Sequence, residues 1–221
     1  SMSIIFRFFF CTLWLLRIRP CPKISEFPAL LITVFPQGFF HFLVHLGAIL
    51  SMSLGAISFT HIVKASEPAL TAALSFFFFH QKFSFTTYMY LIVVVLGVML
   101  ASVEEATFTW ASFLFAMMSN CGSSFRSIYA KKAFMERSPL DNKVSPANLY
   151  ALVTIVSTII FLPVAIIFES SKIGPAWQQA TQFSENSKTA HWLLSRIFFS
   201  GAWYYLYNEL AYLCLDKVSY Y

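Results

Sequence analysis

The chain has 221 residues, of which 58% are hydrophobic and only 11% charged, with a mean hydropathy of +0.67 and a formal net charge of +5. Soluble domains carry about 25% charged residues. This composition excludes an ordinary soluble domain and predicts a polytopic membrane protein. The positive charge belongs to the loops between apolar segments, so it does not indicate a nucleic-acid partner.

Seven apolar runs are long enough to suggest membrane crossings, since a spanning helix needs about 20 mainly apolar residues. The predicted helices cover residues 4–16, 27–54, 57–79, 88–102, 113–134, 147–168 and 192–215. The longest loop, before the last helix, contains Gly174 and Pro175. The predicted fold class is all-α, a polytopic transmembrane helix bundle. We expect residues 1–221 to form a single transmembrane domain that is incomplete at both ends, because apolar sequence starts by Ile4 and no polar tail precedes Tyr221.

Basic residues concentrate in alternate loops. The loops after the first, third and fifth predicted helices hold eight, namely Arg17, Arg19, Lys23, Lys82, Lys131, Lys132, Arg137 and Lys143. The opposite loops hold Lys172 and Lys188 together with the acidic pair Glu104 and Glu105. Because loops on one side of a membrane carry an excess of Lys and Arg, this alternation favours seven crossings.

The third predicted helix carries charged side chains within an apolar run. Thr60, Lys64, Glu67, Thr71 and Ser75 fall at i, i+4, i+7, i+11 and i+15, which places them in one polar stripe. An ammonium and a carboxylate at membrane depth are costly unless they are paired or hydrated, so both are functional candidates. A purely structural Lys–Glu pair that locks two helices together is the alternative.

Pro68 follows this charged pair directly. Its missing N–H leaves the carbonyl of Lys64 without the usual helical donor, which predicts a kink at this point. If this helix lines a path for an anion, Pro68 would be its gating element and Glu67 would balance the charge of Lys64 while the path is empty. A freed carbonyl within a membrane must face protein or water, so the kink should open toward a polar interior.

The fifth predicted helix contributes a second cation. Ser112, Ser119, Ser123 and Arg126 lie on one helical face. A guanidinium binds phosphate or carboxylate through two parallel hydrogen bonds, so Arg126 and Lys64 together suit a small organic phosphate. The alternative is that Arg126 lies near the helix end and extends toward the neighbouring lysines and the membrane surface.

Histidine and tyrosine side chains are weaker candidates. His41 and His45 lie at i, i+4, but no carboxylate or cysteine is near them in sequence, so hydrogen bonding is favoured and no metal site is predicted. Tyr204 and Tyr207 share a face of the last helix, where phenols either orient a ligand or form an interfacial belt. No nucleophile–base motif, phosphate-binding glycine loop or carboxylate pair is present, which favours neither an enzyme nor a cofactor.

One string carries a resemblance to a known family. Residues 58–68, SFTHIVKASEP, resemble the SFTH-x-x-KA-x-EP signature of the plastid phosphate translocators, within the drug/metabolite transporter superfamily. Further similar segments follow in the same order, MMSN at 117–120, FRSIYAKK at 125–132 and YYLYNELA at 204–211. The resemblance implies helices two to eight of a ten-helix fold that is built from two inverted halves.

The family exchanges inorganic phosphate for phosphorylated three- to six-carbon metabolites by alternating access. The resemblance therefore implies an antiporter in a plastid-type inner membrane, of a chloroplast or an apicoplast-like organelle. Its partners would be small phosphorylated metabolites, inorganic phosphate and the lipid bilayer. By position in the motifs, Lys64, Arg126, Tyr207 and His45 are implied as substrate-binding residues.

Two departures from the family pattern affect this expectation. Ala48 stands where the family usually has Ser or Thr, and the family's Lys-Arg pair of the ninth helix would lie beyond Tyr221. The alternatives are a nucleotide-sugar transporter of the Golgi or endoplasmic reticulum, a seven-helix receptor and a non-functional truncated membrane protein. The sugar phosphate stays open, because the segment at 125–129 favours triose phosphates whereas that at 207–219 favours hexose or pentose phosphates. The sequence does not indicate an oligomeric state.

Overall fold

The structure is a computed structural model that describes residues 27–80, 82–103, 108–135, 145–182 and 189–218. These ranges contain α-helices and no β-strand, which confirms the all-α prediction. The helices are α1 (Phe27–Leu54), α2 (Ile57–Lys64), α3 (Glu67–Phe79), α4 (Phe85–Val103), α5 (Trp110–Met135), α6 (Pro146–Gln182) and α7 (Thr189–Val218). The predicted first helix, the basic loop after it and the charged loop residues at 104, 105, 137, 143 and 188 lie outside the described residues.

The third predicted helix is two helices in the structure. α2 ends at Lys64 and α3 begins at Glu67, with Ala65 and Ser66 forming a turn between them. Pro68 occupies the first turn of α3, where a missing N–H costs nothing because the first helical N–H groups have no partner anyway. The proline therefore terminates one helix and starts another, where the sequence predicted a kink in a single helix.

The sixth predicted helix is longer than expected. α6 continues through Gly174 and Pro175 to Gln182, so the predicted loop at these two residues is wrong. A proline normally forces the preceding residue out of the helical region by contact with its Cβ, but Gly174 has no Cβ to clash. The polar tract near residue 180 is therefore partly helical.

Three helices are long and apolar enough to cross a membrane by length and composition: Leu31–Leu54, Phe85–Ser102 and Pro146–Phe168. The remaining long helices carry more polar residues, and the pair α2–α3 is interrupted. The prediction of a polytopic helical membrane bundle is confirmed. The count of seven crossings and the single-domain assignment stay predictions.

The central unit of the structure covers Phe35–Glu136 and contains most of α1 together with α2 to α5. Phe59, Val63 and Ala116 form its small apolar core. α1 and α5 approach closely because each has a glycine at the contact. A Cβ on Gly47 would lie 2.7 Å from the Phe115 carbonyl oxygen, and one on Gly122 would lie 3.0 Å from the Phe40 carbonyl oxygen. Small residues at such contacts are the usual way in which membrane helices pack backbone against backbone.

The terminal unit combines the start of α1, up to Val34, with α6 and α7. Tyr150 of α6 is its central side chain, with its ring 5.1 Å from the rings of both Tyr205 and Tyr212 on α7. Tyr150 is 1% exposed and Tyr212 is 2% exposed. Aromatic rings at this separation favour each other beyond the area they bury, so they hold α6 against α7.

Candidate functional site

The helix break between α2 and α3 brings the polar stripe of the central unit against α5. Ser51 Oγ of α1 lies 2.7 Å from Thr60 Oγ1 and 3.1 Å from Ser112 Oγ, at the start of this interface. Farther along, Thr71 Oγ1 lies 2.8 Å from Ser124 Oγ. The two polar faces that the sequence predicted on separate helices therefore contact each other. This arrangement matches the rule that polar side chains in membrane helices face the protein interior.

Lys64 is held at the end of α2 by a chain of two hydrogen bonds. Its Nζ donates to Ser119 Oγ at 3.0 Å, and Ser119 Oγ donates to the Val44 carbonyl oxygen at 2.9 Å. Lys64 is half-buried whereas Ser119 is fully buried. The ammonium has three donors and Ser119 uses one of them, so a lone anion placed beside it could accept another.

Glu67 begins α3 one turn after Lys64. Its carboxylate accepts a hydrogen bond from Ser123 Oγ, and its backbone carbonyl accepts one from Thr71 Oγ1 at 2.9 Å. A carboxylate in the first turn of a helix is stabilised by the helix dipole and by free N–H groups. Glu67 is thus bound to α5 through Ser123, one helical turn after Lys64 along the chain.

Arg126 lies one turn beyond Ser123 on α5. Its side chain is half-buried and its Nε atom is buried. The ring of Phe125 stacks 5.0 Å from that of Phe40, which in turn lies 5.7 Å from the ring of Tyr129. Arg126 therefore extends from a helix segment whose neighbours on both sides pack against α1, which limits the positions its guanidinium can take.

His41 and His45 are in contact on α1. Their Nε2 atoms lie 3.4 Å apart, and the rings meet edge to face with centroids 4.7 Å apart. His41 is 1% exposed and His45 is half-buried. No group of three or more His, Cys, Asp or Glu side chains that could hold a metal occurs among the described residues. The hydrogen-bonding role expected for the pair fits this contact.

Tyr207 belongs to the terminal unit, whereas Lys64, Glu67, Arg126 and His45 belong to the central unit. On α7 its side chain is 69% exposed, and Tyr204 is 40% exposed. The face of α7 that packs against α6 is a different one. It includes Asn208, which is 2% exposed and whose Nδ2 donates to the Tyr204 carbonyl oxygen at 2.9 Å.

Asn120 is a site residue that the sequence reasoning did not single out. It is fully buried, and its Nδ2 donates to the Val63 carbonyl oxygen at 2.9 Å and to Ser66 Oγ at 3.2 Å. The signal was present in the sequence, since an asparagine in the middle of a membrane helix is costly unless it is bonded. Its partner is a backbone carbonyl on another helix, which no sequence pattern reveals.

The comparisons with known proteins place the chain among transporters. The family model described as the triose-phosphate transporter family matches residues 2–220. The chloroplastic glucose-6-phosphate/phosphate translocator 2 of Arabidopsis thaliana is 35% identical over 209 residues, which are 93% of this chain and 50% of that protein. The chloroplastic xylulose 5-phosphate/phosphate translocator of the same plant is 32% identical over 94% of this chain and 47% of its own length.

A third relative is the chloroplastic triose phosphate/phosphate translocator of Flaveria trinervia, 36% identical over 83% of this chain and 43% of its own length. The chain thus spans about half the length of the curated relatives it matches. The family match extends over nearly every residue of the chain, including both helices at the break. This chain belongs to the triose-phosphate transporter family, a family of membrane transporters and not of enzymes.

Proposed function

We propose that the protein exchanges small phosphorylated metabolites for inorganic phosphate across a plastid membrane by alternating access. The observation that carries this proposal is Lys64, a half-buried cation at a helix break, hydrogen-bonded to the buried Ser119 of a membrane helix bundle. Intramembrane cations of this kind mark substrate paths. The names of the relatives, all phosphate translocators of chloroplasts, support the same class of substrate and the same membrane.

The charges in the central unit suit a phosphate group. Lys64 and Arg126 supply two positive charges and Glu67 one negative charge, so the empty site is cationic. The carboxylate of Glu67 lowers the cost of keeping Lys64 charged in the absence of an anion. A phosphate dianion would pair with both cations. The guanidinium of Arg126 would bind two of its oxygens and the ammonium of Lys64 one.

His45 of the central unit and Tyr207 of the terminal unit are each proposed as a further substrate contact. His45 is half-buried on α1 beside His41, and an imidazole nitrogen can form a hydrogen bond with a phosphate oxygen or a sugar hydroxyl. Tyr207 is included on the strength of the sequence match at 204–211 and its exposed phenol. Pro68 is the proposed gating element, because the break that it maintains lets α2 and α3 tilt as separate rigid helices.

Exchange by the reconstituted chain tests this proposal. Purified protein is placed in liposomes preloaded with phosphate, and uptake of labelled phosphate is measured for the wild type, for Lys64→Ala and for Lys82→Ala. Lys82 lies in the loop before α4 and is exposed. Its replacement by alanine therefore removes the same side chain without altering the interior of the bundle. We expect Lys64→Ala to lose exchange and Lys82→Ala to retain it. Equal rates in all three proteins would reject the assignment of Lys64.

Competition identifies the exchanged substrate. Unlabelled triose phosphate, glucose 6-phosphate, xylulose 5-phosphate and a nucleotide sugar are each added outside liposomes that take up labelled phosphate. Inhibition by one of the sugar phosphates supports the proposal and names the substrate. Inhibition by the nucleotide sugar alone would favour the other branch of transporters, and absence of any exchange by the wild type would favour a chain without transport activity.

A further inference from the structure

The carbonyl group of Val63 is the acceptor for three donors at the break between α2 and α3. Ser66 N donates to it at 3.1 Å, Ser66 Oγ at 2.7 Å and Asn120 Nδ2 at 2.9 Å. In a continuous helix its donor would be the N–H of Glu67, four residues on. Because α2 ends at Lys64, the backbone N–H of Ser66 and two side chains donate to this carbonyl instead. An amide from α5 therefore takes part in closing the end of α2.

The amide of Asn120 is placed for donation. Its Nδ2 has two acceptors, the Val63 carbonyl and Ser66 Oγ, whereas its buried Oδ1 has no hydrogen-bond partner among the described residues. Burying an oxygen without a hydrogen-bond partner is unfavourable. An apolar side chain of the same shape would fill this position without that cost in free energy. The contribution of Asn120 is therefore its pair of hydrogen bonds to Val63 and Ser66 at the helix break.

Two consecutive residues of α5 bind the side chain of Lys64 and the backbone next to it. Ser119 accepts a hydrogen bond from the Lys64 ammonium. The next residue, Asn120, binds Val63, which directly precedes Lys64, and Ser66, which lies two residues after it. A shift of the break relative to α5 would change both contacts together. The position of the ammonium therefore depends on the bond between Asn120 and the backbone.

We propose that Asn120 is a positioning residue, which ties the broken helix to α5 and so sets where the Lys64 ammonium meets the transported anion. The link to transport rests on the proposed function, whereas the control of Lys64 by Asn120 does not. Asn120 itself does not have to contact the substrate, because it acts through the backbone at Val63 and through Ser66.

Acylation of lysine amines measures the position of Lys64 without any assay of transport. The chain in detergent is treated with an amine-reactive ester, and the extent of modification at Lys64 is followed by peptide mass spectrometry, with exposed Lys82 as the internal reference. We expect Asn120→Leu to raise the modification rate of Lys64 about fivefold relative to Lys82, the change that corresponds to loss of one hydrogen bond. An unchanged ratio would overturn the proposal.

Two further variants separate positioning from general loosening. Ser124→Ala removes a different hydrogen bond between α3 and α5, to Thr71, and should leave the Lys64 to Lys82 ratio as in the wild type. Ser66→Ala removes one acceptor of Asn120 while leaving α5 intact, and should give a smaller rise than Asn120→Leu. If Asn120→Leu does not fold, the Lys64 to Lys82 ratio in Ser66→Ala decides whether the proposal holds, and an unchanged ratio overturns it. A rise of equal size in Ser124→Ala contradicts the assignment.

Transport kinetics then test the functional part. In phosphate-loaded liposomes, Asn120→Leu should raise the half-saturation concentration for phosphate about fivefold at an unchanged amount of folded protein. A merely structural asparagine would lower the amount of folded protein and the maximal rate at a constant half-saturation concentration. If the wild type shows no exchange, the proposed function fails, while the acylation ratio still decides whether Asn120 positions Lys64.

Discussion

α4 and α5 belong to the same unit, but α5 contains many buried residues and α4 does not. None of the residues Phe85–Ser102 of α4 is buried, although this is one of the three most apolar helices in the described chain. α5 buries nine residues, of which five are serine or asparagine, namely Ser112, Ser119, Asn120, Ser123 and Ser124. In a membrane protein an apolar helix has no reason to leave the lipid, whereas polar side chains find partners only inside the bundle. In this pair of helices, the apolar helix is therefore the exposed one and the helix rich in serine is the more buried one.

The largest expected effect comes from making α4 resemble α5. Val93, which is 66% exposed near the middle of α4, is replaced by aspartate. The carboxylate would face lipid, at a cost of about 3 kcal/mol at the centre of a helix. We expect Val93→Asp to reduce strongly the fraction of membrane-inserted protein, as measured by carbonate extraction. Val93→Leu is the control and should insert as the wild type does. Normal insertion of the aspartate variant would mean that this face of α4 is not in lipid.

The next effect tests the close contact of α1 and α5. Gly47→Ala would place a methyl group 2.7 Å from the Phe115 carbonyl oxygen and 2.9 Å from the Ser119 backbone nitrogen. Since both are backbone atoms, the helices must separate, and overpacking of this kind costs roughly 1–3 kcal/mol. Thermal unfolding in detergent should show a lowered midpoint. A midpoint equal to that of the wild type would mean that α1 and α5 are farther apart than the structure shows.

A smaller effect is expected from the polar interior itself. Ser119→Ala removes the acceptor for Lys64 Nζ and the donor to the Val44 carbonyl oxygen. Hydrogen bonds between membrane helices contribute on average about 0.6 kcal/mol each and at most about 1.7. We expect a small fall in the unfolding midpoint together with weaker phosphate binding. Ser102→Ala on α4, which removes only a bond to the Val98 carbonyl within the same helix, should change neither.

The smallest effect is expected at the glycine of α4. Gly97→Ala meets no atom within 4 Å, in contrast to Gly47. Alanine favours a helix over glycine by about 1 kcal/mol in soluble hosts, so the variant should be neutral or slightly more stable. The unfolding midpoint of Gly97→Ala, measured beside that of Gly47→Ala, checks this directly. A destabilised Gly97→Ala would reveal a helix packed against α4.

Much of the helix pattern followed from the sequence. The bounds predicted for α1 agree with the structure, and those predicted for α4, α5 and α7 lie within three residues of the observed ones. These boundaries are predictable because loss of apolar character ends a membrane helix. Pro68 and Pro175 were harder to interpret. Pro68 separates two helices whereas Pro175 lies inside one. The residue before Pro175 is Gly174, which has no Cβ to clash with the proline ring, whereas the residue before Pro68 is Glu67.

The polar stripes show a similar limit for the candidate site. The spacing of Lys64 and Glu67 on one helix, and of Ser119 and Ser123 on another, predicted two polar faces. That these faces meet, with Lys64 on Ser119 and Glu67 on Ser123, required the structure. Asn120 was missed because its partner is the carbonyl of Val63. Every residue has a carbonyl, so a side chain that binds one leaves no complementary pattern in the sequence.

By itself, the sequence determined the all-helical class, the membrane environment, the family and the residues at which charge enters the bundle. Each of these depends on composition or on local order, which act through the cost of exposing polar groups to lipid. The tertiary structure alone decided that α2 and α3 are separate helices closed by an amide from α5, and that Gly47 lets α1 reach Ser119. These contacts join residues more than fifty positions apart, and only packing in three dimensions determines which of them form.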